Sequence, residues 1–496
     1  MEEGPAFSAR EILDGGSKTL NIAVFVQNDF ATFAAVAASL ALQLARAAHS
    51  VTWVRLDHLS STLNSHVRFG RSRGWQRPRK PLDQLSQQLI ANSTVSVVNR
   101  SASRKQILGG LPVVRGASVR LADIEPLSVS GLPIGEAIWD AVVRRTGEVD
   151  GNLRVPHAFV QNLASNYQVV HDAVYRFSKA ESLDLAIIFN GRFLPESAAV
   201  QALKQNGIQT VFYESGGALQ TADLYSHETH DLVSLSNRAA SLLASSDNYQ
   251  TLQRLSEDWI VPRINLETPE IRSFGVSAAS TSEYISLPTN SVVYFSSSSD
   301  ELEFSEKGTA SKQRSDVKLV ADVCRTLGVP LVVRTHPNMR NKSPRIQQEW
   351  EQHLSEVNPH LVISQKSDVA AAQVLSAASA AVTSYSTVAV EGIYLNKPTL
   401  VMRETDFSTI QGIHRGWDRT SVEAFLQELP QPDARVATAY GAFRMIRGFT
   451  LKDVTVGTHD QPTFRGKTLN SRRSAAGILA RTEWRIRDKV IKRSMQ

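Results

Sequence analysis

The sequence predicts an α/β protein of two Rossmann-like, doubly wound domains followed by a basic helical tail. Three observations carry that reading. The chain has 496 residues, too many for one ordinary core, so two domains are the natural division. Short β-branched apolar runs alternate with helical runs, the rhythm of a parallel sheet with crossover helices. A polar stretch, "GVSAASTSEYISLPTNS", separates one such series from a second, and no internal repeat stands out.

In the first series, "NIAVFVQ" reads as a buried strand leading into the Ala-rich run Phe30 to Ala48. Thr32, Ser39, Gln43 and Arg46 break that run, which makes it the first helix of a βα unit rather than a membrane span. "SVTWVRLD" follows as a second strand. "DLAIIFN" and "TVFYES" are strands flanking a helix around "ESAAVQALKQNG", with Gly207 as its stop. Between residues 80 and 180 only a helix around Ser165–Lys179 is legible. The second series has strands at "SVVYFSSSS", "PLVVRTH", "HLVISQK", "AAVTSY" and "PTLVMR", with helices between them such as "SDVKLVADVCRTLG". The expected domains are therefore residues 18–278 and 288–425. Residues 426–496 form a C-terminal segment packing back on the first domain.

Composition is that of a globular chain, 42% hydrophobic and 21% charged, which excludes disordered and fibrous classes. The single cysteine, Cys324, excludes an intramolecular disulfide framework and agrees with a reducing compartment. With polar opening residues and no visible signal peptide, a cytoplasmic location is expected. From Lys467 onward nine Lys/Arg face Glu483 and Asp488, a formal +7, so the body of the chain is close to neutral.

Candidate chemistry gathers where strands end, the place where open α/β sheets bind ligands. Ser296 to Ser299, with Ser297 and Ser298 at the centre, can form an anion-binding concavity or an ordinary polar turn. In "LVVRTHPNMRNK", Pro337 stops the strand, and His336 beside Arg334 can hydrogen-bond a phosphate or a nucleotide. "TSYSTVAVEGIYLNKP" places Ser384, Ser386 and Thr387 at a helix start, where unpaired N–H groups suit phosphate. Glu391 lies four residues on, nearly on the same face, in reach of ribose hydroxyls or simply solvated. In the first half, "FNGRF" brings Asn190 and Arg192 to a strand end. "FYESGG" sets Glu214 on an exposed turn before Gly216, suited to a general base or to a plain turn.

The order of a Ser cluster, Arg-x-His-Pro, Ser-x-Ser-Thr-x-x-x-Glu and Asn-Lys-Pro resembles the donor domain of GT-B glycosyltransferases. It is most similar to bacterial capsule and surface-carbohydrate biosynthesis proteins, which share His-Pro and Ser/Thr motifs with Kdo and bacterial sialyl- and polysialyltransferases. "FNGR" followed by "YESGG" is similar to the same group. The resemblance covers about Leu185–Gln220 and Ser291–Arg403 and implies two domains facing a cleft. It further implies that His336 meets the donor's phosphate or nucleotide and that Ser386 and Thr387 bind phosphate. Glu391 would hold the ribose and Glu214 would deprotonate the acceptor hydroxyl. Tyr385, Ala389, Asn396 and Ser215 depart from the family pattern.

The implied activity is a sugar-nucleotide-dependent glycosyltransferase of capsule or surface-polysaccharide assembly. It would have no tightly bound cofactor and a CMP-sugar, UDP-sugar or GDP-sugar co-substrate, with a glycan or lipid-linked acceptor. Two alternatives stay open: a CDP-alcohol polyol-phosphate transferase and a non-catalytic nucleotide- or glycan-binding scaffold. No Asp-x-Asp triplet occurs, so a divalent metal is not expected. "RFGRSRGWQRPRK" carries six positive charges and two aromatics. Without a nucleic-acid motif, it suits an anionic glycan or lipid-linked acceptor better than a nucleic acid. The tail either rests on the anionic inner face of the plasma membrane or packs back on the first domain.

Overall fold

The strand β1 (Asn21–Val26) starts a βα unit whose helix α1 (Ala31–Arg46) returns the chain to β2 (Ser50–Arg55), parallel to β1. The computed structural model describes residues 12–13, 18–26, 31–56, 80–90, 95–98, 118–129, 131–146, 151–216, 221–226, 229, 231–245, 248–265, 285–298, 309–342, 344–455 and 462–469. Ala34 to Leu42 of α1 are buried, as a crossover helix packed on a sheet requires. Among the described residues no helix is long and apolar enough to cross a membrane.

After β2 come α2 (Lys80–Ile90), β3 (Val95–Val98), α3 (Gly135–Thr146) and the long helix α4 (His157–Ala180). Then follow β4 (Leu185–Phe189), α5 (Leu194–Gln205), β5 (Gln209–Ser215) and β6 (Thr221–Tyr225). The sheet runs β3-β2-β1-β4-β5-β6, with the short strand Phe449–Thr450 at the far edge. β1 to β5 are parallel; β6 runs against them, and the edge strand, antiparallel to β6, returns to their direction. The order 3-2-1-4-5 is that of a doubly wound dinucleotide-type sheet. As expected, the chain leaves α5 at Gln205, and Gly207 follows with φ +70°.

The second unit opens with two helices, α6 (Leu232–Ser245) and α7 (Tyr249–Ile264). Its sheet comprises β7 (Val292–Phe295), β8 (Leu331–Arg334), β9 (Leu361–Ile363), β10 (Ala380–Thr383), β11 (Thr399–Val401) and β12 (His414–Arg415). The helices are α8 (Thr309–Leu327), α9 (Pro344–Val357), α10 (Ala371–Ala377), α11 (Val388–Tyr394), α12 (Arg419–Glu428) and α13 (Ala434–Ile446). All neighbours pair in parallel in the order β9-β8-β7-β10-β11-β12. Side chains alternate across it. Val292 and Tyr294 face one buried layer with Val320, Trp350 and Phe425, while Val293 and Phe295 face another with Val374 and Leu375. A sheet covered on both faces explains why its strands read as continuous apolar runs.

The chain divides by contact into residues 1–146, 150–229 and 448–496, and residues 147–149 and 230–447. This differs from the boundaries read from the sequence, which carried the first domain to 278. Helix α7 belongs with the second unit because its Trp259 packs edge-on against Tyr440 of α13, with centroids 5.4 Å apart, and Ser256 donates to the Ala437 carbonyl at 2.8 Å. The linker lies mostly outside the described residues, as do the basic loop 68–79 and the tail from 470. From 448 the chain counts with the first unit, where Phe449–Thr450 pairs with β6.

Candidate functional site

In the second unit the candidate residues sit at the carboxyl ends of β7, β8 and β10. Ser296 Oγ accepts the His336 N–H at 2.8 Å, tying the ends of β7 and β8 together. Ser297 N–H donates to Gln313 Oε1 (2.5 Å), and Gln313 Nε2 donates to the Ser297 carbonyl (3.1 Å). Both backbone groups of Ser297 are thus occupied. Its hydroxyl is not: the residue is 6% exposed, and Oγ finds no partner among the described residues. Such a group is costly to bury unless a ligand or water completes it. Ser298 Oγ accepts from Asn338 Nδ2 at 2.9 Å.

His336 caps the 3₁₀ turn Pro337–Asn341, its Nδ1 accepting the Asn338 N–H at 3.2 Å. With Nδ1 an acceptor, the neutral ring carries its proton on Nε2. Asn338, two residues past the histidine, was missed in the sequence although it serves both His336 and Ser298.

Two expected ligand residues turn inward instead. Arg334 is buried and donates to the backbone carbonyls of Thr335 (2.9 Å), Ser364 (2.9 Å) and Val369 (3.0 Å). Burial pulls its guanidinium below the usual range. It ties loops together rather than meeting a ligand. Ser384 is fully buried, its Oγ 2.6 Å from both the Tyr294 hydroxyl and Asp316 Oδ2. Arg403 completes this network on Asp316 at 2.6 and 3.0 Å, and burial pushes the Tyr294 phenol well up. Ser386 and Thr387 are half-buried at the start of α11. Ser386 N–H donates to Thr383 Oγ1 (3.1 Å), and Ser386 Oγ accepts the Val388 N–H (3.3 Å). Glu391 is not a solvated surface residue: its side chain is 7% exposed and paired with Arg263 at 3.1 Å.

In the first unit, Glu214 lies in β5 and is half-buried, not on the exposed turn read from the sequence. Antiparallel pairing with β6 draws the segment into the sheet, with Asp223 directly opposite Glu214 and Gly216 N–H donating to the Thr221 carbonyl at 2.9 Å. Asn190 Nδ2 donates to Glu214 Oε2 at 2.8 Å, so the structure does bring these two together. Asn190 has φ +56° and Gly191 φ +85°. A Cβ on Gly191 would lie 2.3 Å from the Phe212 ring. Arg192 lies over Phe193 at 5.3 Å. The buried Tyr213 hydroxyl, raised by desolvation and by the Glu196 and Glu214 charges, finds no partner among the described residues.

The chain is thus an α/β protein of two units with Rossmann-ordered sheets, polar groups gathered at the strand ends of each. No protein-family model matches it, nor does any curated relative. Among solved structures it is similar to a KpsC β-Kdo 2,4-transferase from Thermosulfurimonas dismutans, at 11% identity over 57% of this chain and 85% of that one, with a TM-score of 0.38. It is also similar to the S. aureus MnaA–UDP structure (11% identity, 86% and 92% covered, TM-score 0.31) and a glycosyltransferase from Rickettsia africae (9%, 88% and 95%, TM-score 0.30). Scores this low leave the function to the chain's own residues.

Proposed function

We propose that this chain is a sugar-nucleotide-dependent glycosyltransferase of the GT-B type in surface-polysaccharide assembly. The second unit binds the donor nucleotide and the first presents Glu214 to the acceptor. The observation that supports this most is the pair of hydrogen-bond donors at the ends of β7 and β8. Ser297 offers a buried hydroxyl without a partner among the described residues, and His336 has its proton directed to Nε2. Both are neutral donors suited to a phosphate oxygen at a sheet's carboxyl edge. Ser386 and Thr387 would adjoin the same phosphate, with Arg334, Ser298 and Ser384 supporting the loops that carry them.

In this reading Glu214, steadied by Asn190, takes the proton of the acceptor hydroxyl. The freed oxygen attacks the anomeric carbon, and the bond from that carbon to the phosphate oxygen breaks. Charge developing on the leaving nucleotide is met by the Ser297 and His336 donors. Loss of one such preorganised donor typically costs ~10²–10³ in rate. A CMP-activated acidic sugar is the first donor to test, with UDP- and GDP-sugars next.

A thermal-shift and calorimetric screen against CMP, CDP, UDP, GDP and ADP tests the nucleotide site. At about a hundredfold excess over Kd the binding nucleotide should stabilise the protein by ~2.7 kcal/mol, and His336→Ala should abolish the effect. Silence from all five would overturn the reading. With a turnover assay in hand, Glu214→Gln should lower kcat by ~10²–10⁴ while nucleotide affinity holds. Unchanged kcat would remove Glu214 as the base, and nucleotide binding without any turnover in the unaltered protein would leave a non-catalytic binder.

A further inference from the structure

Gln313 lies on α8, 16 residues beyond Ser297 in the chain, and is 4% exposed. Its side-chain amide meets both backbone groups of Ser297, Oε1 accepting the N–H at 2.5 Å and Nε2 donating to the carbonyl at 3.1 Å. The ladder of β7 ends one residue earlier, where Ser296 N–H donates to the Arg334 carbonyl at 3.0 Å. Paired residues of an antiparallel ladder exchange the same two bonds, so the amide stands in for a strand partner at Ser297. The flanking serines are held from β8 and the turn after it. Ser296 Oγ accepts the His336 N–H, and Ser298 Oγ accepts from Asn338 Nδ2. Helix α8 is itself seated through Val317 and Val320 in the layer beneath β7 and β8.

Toward an anion, Ser297 therefore has only its hydroxyl to offer. The backbone N–H that a serine turn presents to an anion is taken by Gln313, and Oγ is the atom left without a partner among the described residues. A donor binds best when its backbone is fixed before the ligand arrives, because freedom left in the loop is lost on binding. One primary amide can fix both groups, whereas a carboxylate has no donor and a lysine or arginine no acceptor. We infer that Gln313 is a positioning residue that clamps the Ser297 backbone and so aims the hydroxyl at the phosphate of the bound nucleotide. This rests on the nucleotide reading of the second unit and adds to it a buried residue that acts through Ser297.

The test is a double-mutant cycle on the full chain, by calorimetry with whichever of CMP, CDP, UDP, GDP and ADP binds. Ser297→Ala should weaken that nucleotide about tenfold or more, the effect of a hydrogen bond to a charged acceptor. Gln313→Met keeps the side-chain volume and removes both bonds. It should weaken binding about five- to tenfold with Ser297 in place, and less than about twofold in the Ser297→Ala chain. Melting temperature supplies the contrast. The lost bonds are to backbone atoms that Ser297→Ala retains, so Gln313→Met should lower it equally in both backgrounds. A merely structural glutamine would weaken nucleotide by the same factor in both, and that result would overturn the inference while leaving the nucleotide site standing. So would unchanged affinity in Gln313→Met or in Ser297→Ala. Where Gln313→Met does not fold, Gln313→Glu keeps the acceptor for the N–H and loses the donor to the carbonyl. Its added charge acts on the phosphate in both backgrounds and cancels in the cycle. An excess loss above about twofold in the chain with Ser297 is then expected, and equal losses would overturn the inference. Absence of binding by all five nucleotides would overturn the nucleotide reading and the inference with it.

Discussion

Single side chains here carry obligations that their residue type does not announce. Ser384 sits between Tyr294 and Asp316 with 2.6 Å contacts to each, in a network closed by Arg403. Ser384→Ala leaves a phenol and a carboxylate each short of a partner, and should cost about 1–3 kcal/mol in urea unfolding without changing nucleotide affinity. A loss of affinity alone would instead make Ser384 a ligand contact. Gly191 meets two constraints at once, a left-handed φ and the Phe212 ring. Gly191→Ala should therefore destabilise by more than ~1 kcal/mol and disturb the Asn190–Glu214 pair, detectable as a lowered melting temperature. His353 gives a pH signature. Burial holds its imidazole below the ordinary value while Nε2 meets the Arg314 carbonyl. Because the unfolded chain binds the proton more readily, this contribution is present above about pH 6.5 and is lost as pH falls through the depressed folded value. The urea midpoint of His353→Gln should accordingly vary less between pH 7.5 and 5 than that of the unaltered chain.

Among elements, α7 shows how packing overrides position in the chain. Trp259 is buried against Tyr440, with Arg263 and Arg444 over its faces at 4.6 and 5.5 Å. Trp259→Ala removes the anchor of the helix and should cost ~3–5 kcal/mol. Limited proteolysis should then cut within 231–265 before the rest of the second unit; equal protection there would show that α7 is held by something else. Strand β5 makes the complementary point. "TVFYES" was legible as a strand, but its last residues also looked like a free turn. Only the antiparallel partner β6, separated by a glycine-rich connection, converts Glu214 into a strand residue with Asp223 opposite. A short strand of mixed pattern, such as Thr221–Tyr225 or Val95–Val98, gives too few residues for its period to show in the sequence.

For the molecule as a whole, the one cysteine is a reporter of the second unit's integrity. Cys324 is buried in the layer beneath β7 and β8, and desolvation pushes its thiol up to about 12. It should resist thiol reagents under native conditions and react at the rate at which this unit opens, more slowly once a nucleotide is bound; prompt labelling of native protein would contradict the packing described. The sequence by itself determined the strands of both sheets that bury both faces, because an unbroken β-branched run bounded by proline or glycine has few other uses. It also determined which motifs lie at strand ends, since a strand's end is a local property. The tertiary structure alone decided which polar groups are spent on the fold. Arg334 and Ser384 read like Ser297, yet their partners are backbone carbonyls, a phenol and an aspartate supplied from elsewhere in the fold, while the Ser297 hydroxyl has no partner among the described residues. The same holds for Arg263 and Glu391. Hydrogen-bond satisfaction depends on what arrives from distant positions in the chain, and one residue's spacing from the next contains no record of it.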